Sequence, residues 1–207
     1  GTLQRSLDTR SQLPPVDAAE LADTLEAAAE QHHRRTTLRG EWVHAATVFL
    51  DNRQMNARQG FFVVTPLRLA DAPGVVLVQR GWVPRDLLDR SKLPTLTDAP
   101  GEVSVSGHIA PPPGRLYEFA DAASGVIRQN LDLAAYAREL TLPLKPLSIV
   151  QGDEGAPPDG LLRQWLRPDA GIQRHHGYAF QWFALCALMT GLYVWFQLVR
   201  PRLRSQR

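Results

Sequence analysis

Twenty-two consecutive residues without a charge, from Tyr178 to Val199, constrain this chain of 207 residues more than any other feature in it. At about 1.5 Å rise per residue such a run makes a helix roughly 33 Å long, close to the ~30 Å hydrocarbon thickness of a bilayer. Tyr178 and Trp182 stand near one end, Tyr193 and Trp195 near the other, as in an aromatic belt. A core helix of a soluble domain is the competing reading, but uncharged runs of about 18 residues or more usually span membranes. Arg200, Arg202, Arg204 and Arg207 crowd the C-terminal flank, whereas the other flank has Arg174 beside His175 and His176. The positive-inside bias therefore predicts a C-terminus in the cytoplasm, or in a mitochondrial matrix, with the preceding part of the chain on the outer face.

An external domain needs an export signal, and the residues after Gly1 carry none. The expectation is an upstream apolar segment, so that the complete protein is a hairpin of two membrane helices holding a large external loop. The alternative is insertion by the C-terminal helix alone, with the domain in the cytoplasm.

What the outer part can be follows from composition. Hydrophobic residues make up 44% and charged residues 21%, which excludes global disorder. One cysteine, Cys186, excludes an internal disulfide and any multi-cysteine metal site. Removing the four C-terminal arginines from the net charge of +2 leaves −2 for the rest, so no basic face for nucleic acid is implied.

Residues 1–15 read as a polar exit from the membrane, ended by Pro14-Pro15. Asp17 and Glu20 have the spacing of a capping box, which predicts a helix over 18–31 with Leu21, Ala22, Leu25, Ala28 and Ala29 as its apolar stripe. Strand signals follow at 36–42, 48–50, 61–69, 75–83, 102–109 and 147–150. Turn formers separate them at Asp51-Asn52, Asp71 to Gly74, Pro100-Gly101 and Pro111 to Gly114. A second helix is predicted over 132–140. Within the strand pattern, Trp42 is expected to face the core.

Short links favour antiparallel neighbours. The fold class is therefore α+β: a curled, barrel-like, mainly antiparallel sheet of about six strands with two helices, plus the C-terminal transmembrane helix. The expected organisation is a linker over 1–15, an external domain over 16–170, the membrane helix over 171–199 and a basic tail over 200–207.

No nucleophile-elbow, zinc-protease, phosphate-loop or dinucleotide fingerprint occurs, which lowers the case for an enzyme. His175 is the most informative single residue. On a helix, positions 175, 178, 182, 186, 189 and 193 fall in one stripe: His, Tyr, Trp, Cys, Met and Tyr. Such a face could hold a planar macrocycle with the imidazole on iron. It equally suits a helix–helix contact with an interfacial histidine, the commoner use of such a stripe. His32 and His33 point about 100° apart on a helix and read as a solvated helix end. His44 and His108 read as ordinary loop or strand histidines. A copper carrier would need closer Met, Cys and His ligands.

Longer motifs occur in order: Asp51-Asn52-Arg53, then Gly60-Phe61-Phe62-Val63-Val64-Thr65-Pro66-Leu67, then Val76-Leu77-Val78-Gln79-Arg80-Gly81-Trp82-Val83-Pro84-Arg85. Gly101-Glu102-Val103 and Gly107 follow, and the last apolar run opens with His175-x-x-Tyr178-x-x-Gln181-Trp182-Phe183. In this the chain resembles the surfeit locus protein family of cytochrome c oxidase assembly factors, over nearly its whole length. Gly1 and Gln4 match the end of that family's first membrane helix, although Leu3 stands where the pattern has tryptophan.

The resemblance implies two membrane helices around an external domain, in a bacterium in the inner membrane with the domain in the periplasm and the C-terminus in the cytoplasm. It implies no catalysis but help in inserting haem a into oxidase subunit I, with subunit I, haem a synthase and membrane lipid as partners and no nucleic acid. Haem a would bind transiently, with His175 as ligand to the haem iron, Trp182 in haem handling, and Tyr178 beside them. A tethered module that stabilises an assembly intermediate without haem is the alternative. Arg80, Gly81 and Pro84 are expected to be structural, a strand end entering a turn with Arg80 in an ion pair.

Overall fold

The computed structural model describes residues 9–89, 92–97, 100–113, 125–165, 185–190 and 192–193. It divides into two compact units, Gly1–Trp165 and Leu166–Arg207.

The first unit is built on β1 (Arg35–Trp42), β2 (Val48–Met55), β3 (Arg58–Leu69), β4 (Val75–Pro84), β5 (Glu102–Ala110), β6 (Ile127–Arg128) and β7 (Leu144–Gln151). Two helices join them, α1 (Leu25–Gln31) and α2 (Leu133–Leu140). The sheet order is β1-β5-β7-β4-β3-β2-β6, and β1 also pairs with β3. That extra pairing, Gly40 to Trp42 against Leu69 to Leu67, closes β1, β5, β7, β4 and β3 into a five-stranded barrel. Closure removes the barrel's free edges.

β3 is the longest described strand, at 12 residues, and it pairs with three neighbours, β1, β2 and β4. Its C-terminal part pairs with β1 in the barrel, and its N-terminal part pairs with β2 outside it. Leu38, Leu67, Val76, Val78, Val105, Ile109, Leu147 and Ile149 fill the barrel, and Val16, Ala18, Leu21, Ala22 and Ala28 pack onto the same core. α2 carries a second core in which Tyr136 and Leu131 pack on Val48, Leu50, Val64 and Leu77. The buried Tyr136 hydroxyl donates to the Ala46 carbonyl, as a buried phenol must find a partner.

The strands come where alternation and turn formers predict them, and the barrel is closed rather than merely curled. Two expectations are corrected. First, the helix over 18–31 is broken in two. Asp17 and Glu20 do meet, the Glu20 carboxylate accepting from the Asp17 N–H at 3.2 Å, but they head only a 3-10 turn, Ala18–Glu20. Burying both Leu21 and Ala22 in the barrel core requires extended backbone there. Gln31 and Lys145 support the break: Gln31 donates to Glu20 O and accepts from Ala22 N, while Lys145 reaches Leu21 O and Asp23. Thr24 then caps α1, and Leu25 of the predicted stripe is exposed.

Second, Asp51-Asn52 is a bulge, not a turn. β2 runs on to Met55 with Asn52 at φ 57°, and pairing shifts between Leu50 and Arg53. The chain reverses at Asn56-Ala57, both left-handed, as a two-residue hairpin demands. The sheet is mainly antiparallel, as expected, and its parallel pairs among the described strands are β4 with β7 and β2 with β6. The long path from β5 to β7 through α2 is what permits a parallel arrival. Trp42, the last residue of β1, packs against the barrel core as expected and is partly buried.

Ala57 adopts φ 60°, where a Cβ is disfavoured. Ala57→Gly is therefore expected to raise stability by up to about 1 kcal/mol, and an unchanged or lower melting temperature would refute that account of the turn.

In the second unit, residues 185–190 and 192–193 are helical, and Leu185, Leu188, Met189, Leu192 and Tyr193 are exposed. Most of the 22-residue uncharged run lies outside the described residues. Among those described, no helix is long and apolar enough to cross a membrane.

Candidate functional site

His175, Tyr178 and Trp182 lie outside the described residues. So do Gln181 and Phe183, whereas the motif residues Asp51 to Arg53, Gly60 to Phe62 and Arg80 to Arg85 are described, and these converge. Bulge, hairpin and the end of β4 build one assembly around the segment 159–165, from which the chain continues into the second unit.

Its centre is ionic and dry. Arg80, Asp159 and Arg163 have side chains only 2–3% exposed. The Asp159 carboxylate accepts from Arg163 at 2.5 Å, lies 3.9 Å from Arg80, and also accepts the Leu161 N–H at 3.1 Å. The Arg80 guanidinium lies 4.5 Å from the centre of the Trp42 ring, a cation–π contact. The ion pair anticipated for Arg80 is thus present, with a partner 79 residues away in sequence.

Around it the backbone is laced by specific bonds. Trp82 and Leu162 exchange N–H···O bonds of 2.7 and 2.8 Å. The buried indole of Trp82 donates to Arg53 O at 2.8 Å, and Arg53 itself donates to Gln129 O and lies over the Phe62 ring. Arg85 pairs with Asp51 at 3.3 Å. Asn56 at the hairpin tip donates to Gln164 at 2.6 Å, and Trp165 donates to Gln151 O while its ring meets Phe62 edge-on at 5.1 Å.

The motif glycines follow from this crowding. A Cβ on Gly60 would meet the Trp82 ring at 2.6 Å, and one on Gly81 would meet Leu161 Cβ at 2.7 Å. Chemically, the arrangement is a clasp that holds a chain segment by buried ions and backbone bonds. Sequence reasoning found one side of it, Asp51 to Arg53 and Arg80 to Arg85. It missed Asp159, Arg163, Gln164 and Trp165, which sit in a stretch without periodicity.

Three histidines of the first unit, His32, His33 and His108, gather away from the clasp. His33 stacks on His108 with ring centres 6.5 Å apart, and His32 lies edge-on to His33 at 6.4 Å. His108 is in β5, and His33 follows α1 with φ 70°. Burial lowers the pKa of all three, helped by the neighbouring imidazole at His108 and His32 and by Arg10 at His32 and His33. Lowered values mean that the folded state prefers them neutral. Their contribution to stability is complete above 6.5 and is lost as pH falls through the folded values beneath it. Acidification below 6.5 is expected to lower the melting temperature, and His108→Gln to flatten that slope. An equally steep slope in the variant would rule out His108 as a source.

An iron macrocycle needs an axial ligand beside a cavity. Among the described residues, no three His, Cys, Asp or Glu side chains converge as a metal site. A groove of about 520 Å³ between α1 and α2 is lined by Leu25, Pro113, Leu131, Leu133, Leu144 and Pro146, and none of its lining residues is an axial ligand. His44, in a 3-10 turn, borders a cavity of about 300 Å³ with Phe49 and Leu96, and His108 borders a polar one of about 350 Å³. The residues of the haem assignment, His175, Tyr178 and Trp182, are not among those described.

A family model described as the SURF1 family matches residues 1–187. A SURF1-like protein of Drosophila melanogaster is 27% identical over 215 residues, covering 95% of this chain and 68% of the relative. A SURF1-like protein of Rickettsia bellii is 25% identical over 187 residues, 87% of this chain and 73% of the relative. The cytochrome oxidase assembly protein SHY1 of Saccharomyces cerevisiae is 30% identical over 60 residues, 29% of this chain and 15% of the relative.

Proposed function

The chain belongs to the SURF1 family, and from that premise we propose that it is a biogenesis factor for cytochrome c oxidase, binding haem a and assisting its insertion into subunit I. The family match across 187 residues is the observation that carries the oxidase part of this reading, together with a relative named as a cytochrome oxidase assembly protein. The haem part rests on the motif His175-x-x-Tyr178-x-x-Gln181-Trp182. His175 would supply the axial nitrogen to the iron, and Trp182 and Tyr178 would pack beside the ring. Haem a is held transiently. The protein makes and breaks no covalent bond of its own; oxidase subunit I, haem a synthase and membrane lipid are its partners.

Location follows from the same premises. Our reading puts the chain in a bacterial inner membrane, with the barrel in the periplasm and the arginine tail in the cytoplasm; the uncharged run and its arginine flank support it. The exposed side chains of Leu185, Leu188, Met189, Leu192 and Tyr193 support this, since an exposed apolar patch marks a membrane or protein contact. The buried clasp supports a scaffold reading, because its charged groups are turned inward onto segment 159–165.

Deleting the gene in a host with an aa3-type oxidase tests the oxidase part: oxidase haem content is expected to fall while haem a synthesis continues. Undiminished oxidase would overturn it. For topology, a reporter active only outside the membrane should be silent after Arg207 and active within the loop 152–160, in a chain carrying its upstream segment; the reverse pattern would invert the placement.

A further inference from the structure

We propose that the imidazoles of His32, His33 and His108 form a proton-operated latch for residues 9–14: neutral rings let Arg10 seat on the end of α1, and protonated rings expel it.

The latched segment is tied on by polar bonds. Residues 9–15 are exposed throughout, whereas Val16 is buried. Arg10 Nη1 donates to Ala29 O at 3.3 Å, and Arg34 Nη2 donates to Pro14 O at 2.8 Å. Beyond Pro15 the hold is firmer. Val16 N–H donates to Arg35 O at 2.9 Å, Val16 O accepts from the Thr36 hydroxyl at 2.6 Å, and the Val16 side chain joins the barrel core. Exposed charged contacts contribute little each, so the part before Pro14-Pro15 is the part a change of charge can free.

Ala29 lies in the last turn of α1, where carbonyls lack helical partners and the helix dipole is negative. Arg10 occupies that end, and His32 and His33 follow it directly. His33 is fixed in place. Its N–H donates to Ile109 O at 2.7 Å, Ile109 N–H donates to Arg34 O at 2.9 Å, and its φ of 70° is rare for a residue with a Cβ. This left-handed turn stacks its ring on His108. Arg10 and the two histidines thus share one negative helix end, and with the rings neutral only the arginine is charged.

Other charged groups come from the neighbouring elements. Arg34 precedes β1, and Arg35, its first residue, lies opposite His108 in register. Glu154 borders the cavity at His108 together with Arg35. Glu26 and Glu30 of α1 are exposed, and Glu20 is engaged by Asp17 N–H. Every influence on the three rings opposes a proton: burial first at each, then His33 and Arg10 at His32, Arg10 at His33, and His33 at His108. Undocking relieves the share due to Arg10. Docking is therefore favoured above 6.5 and lost as pH falls through the lowered values of His32 and His33.

The test uses the full chain in detergent, with Cys186→Ser to remove the native thiol. A nitroxide is placed on Gln12→Cys and, as reference, on Ser104→Cys of β5, and its mobility is read from about pH 8 to about pH 5. Expected is a severalfold rise in the mobile fraction at 12 with a constant spectrum at 104. The double variant His32→Gln, His33→Asn should lose the rise; asparagine suits the left-handed backbone at 33. Arg10→Gln should leave position 12 mobile at both ends of the range. An unchanged spectrum at 12 would overturn the latch, as would a rise that persists in the double variant or in Arg10→Gln. Equal rises at 12 and 104 would mean loss of the fold rather than release of a segment, and would overturn it too.

Discussion

Asp159→Asn is expected to cost the protein about 3–5 kcal/mol, because it takes away the carboxylate shared by two buried guanidiniums. For a chain of this size that corresponds to a fall in melting temperature of roughly 10 °C. The amide can keep one hydrogen bond but brings no charge to offset Arg80 and Arg163. A second variant separates lost charge from lost packing. Replacing all three together, Arg80→Met, Asp159→Leu and Arg163→Met, should recover much of the loss, since apolar triads often substitute for buried ionic ones. If Asp159→Asn melted with the wild type, the clasp would hold nothing and its motif residues would need another explanation. Because segment 159–165 precedes the second unit, the same variant should also make the bonds after Gly160 more open to proteolysis.

His175→Ala carries the functional claim. Alanine is a good helix former, so the variant should insert normally while losing the axial nitrogen. Haem stoichiometry after co-expression with haem a synthesis is expected to drop to background, and the ligand-dependent visible spectrum to vanish. His176→Ala should matter far less, its side chain pointing about 100° away around a helix. Trp182→Ala should weaken retention by lost packing and leave the spectrum recognisable. Wild-type stoichiometry and spectrum in His175→Ala would end the ligand assignment and favour an interaction module that works without haem.

Much of this protein was legible one residue at a time. Alternation and turn formers located six of the seven described strands, because a strand buried on one face must repeat with period two. The short β6 carries too few residues to show a period. Asp51-Asn52 and Asn56-Ala57 show the limit of local signals. Both contain an asparagine suited to a left-handed turn, and only pairing with β3 decides which is the bulge and which the hairpin.

The capping box at Asp17 was real, yet the helix after it broke, because burying Leu21 and Ala22 in the barrel and bonding Gln31 and Lys145 to the exposed backbone outweighed continued helix. The motif around Arg80 was legible as a motif but not as a clasp. Its partners Asp159 and Arg163 are about 80 residues away, and nothing in a one-dimensional pattern records a pairing at that distance. The sequence alone determined the family, the apolar run and the alternating strands, all properties of neighbours along the chain. Barrel closure, the parallel pairing of β4 with β7, and the buried ions that grip segment 159–165 were decided only when distant segments met, since their energy exists only in the packed, water-excluded state.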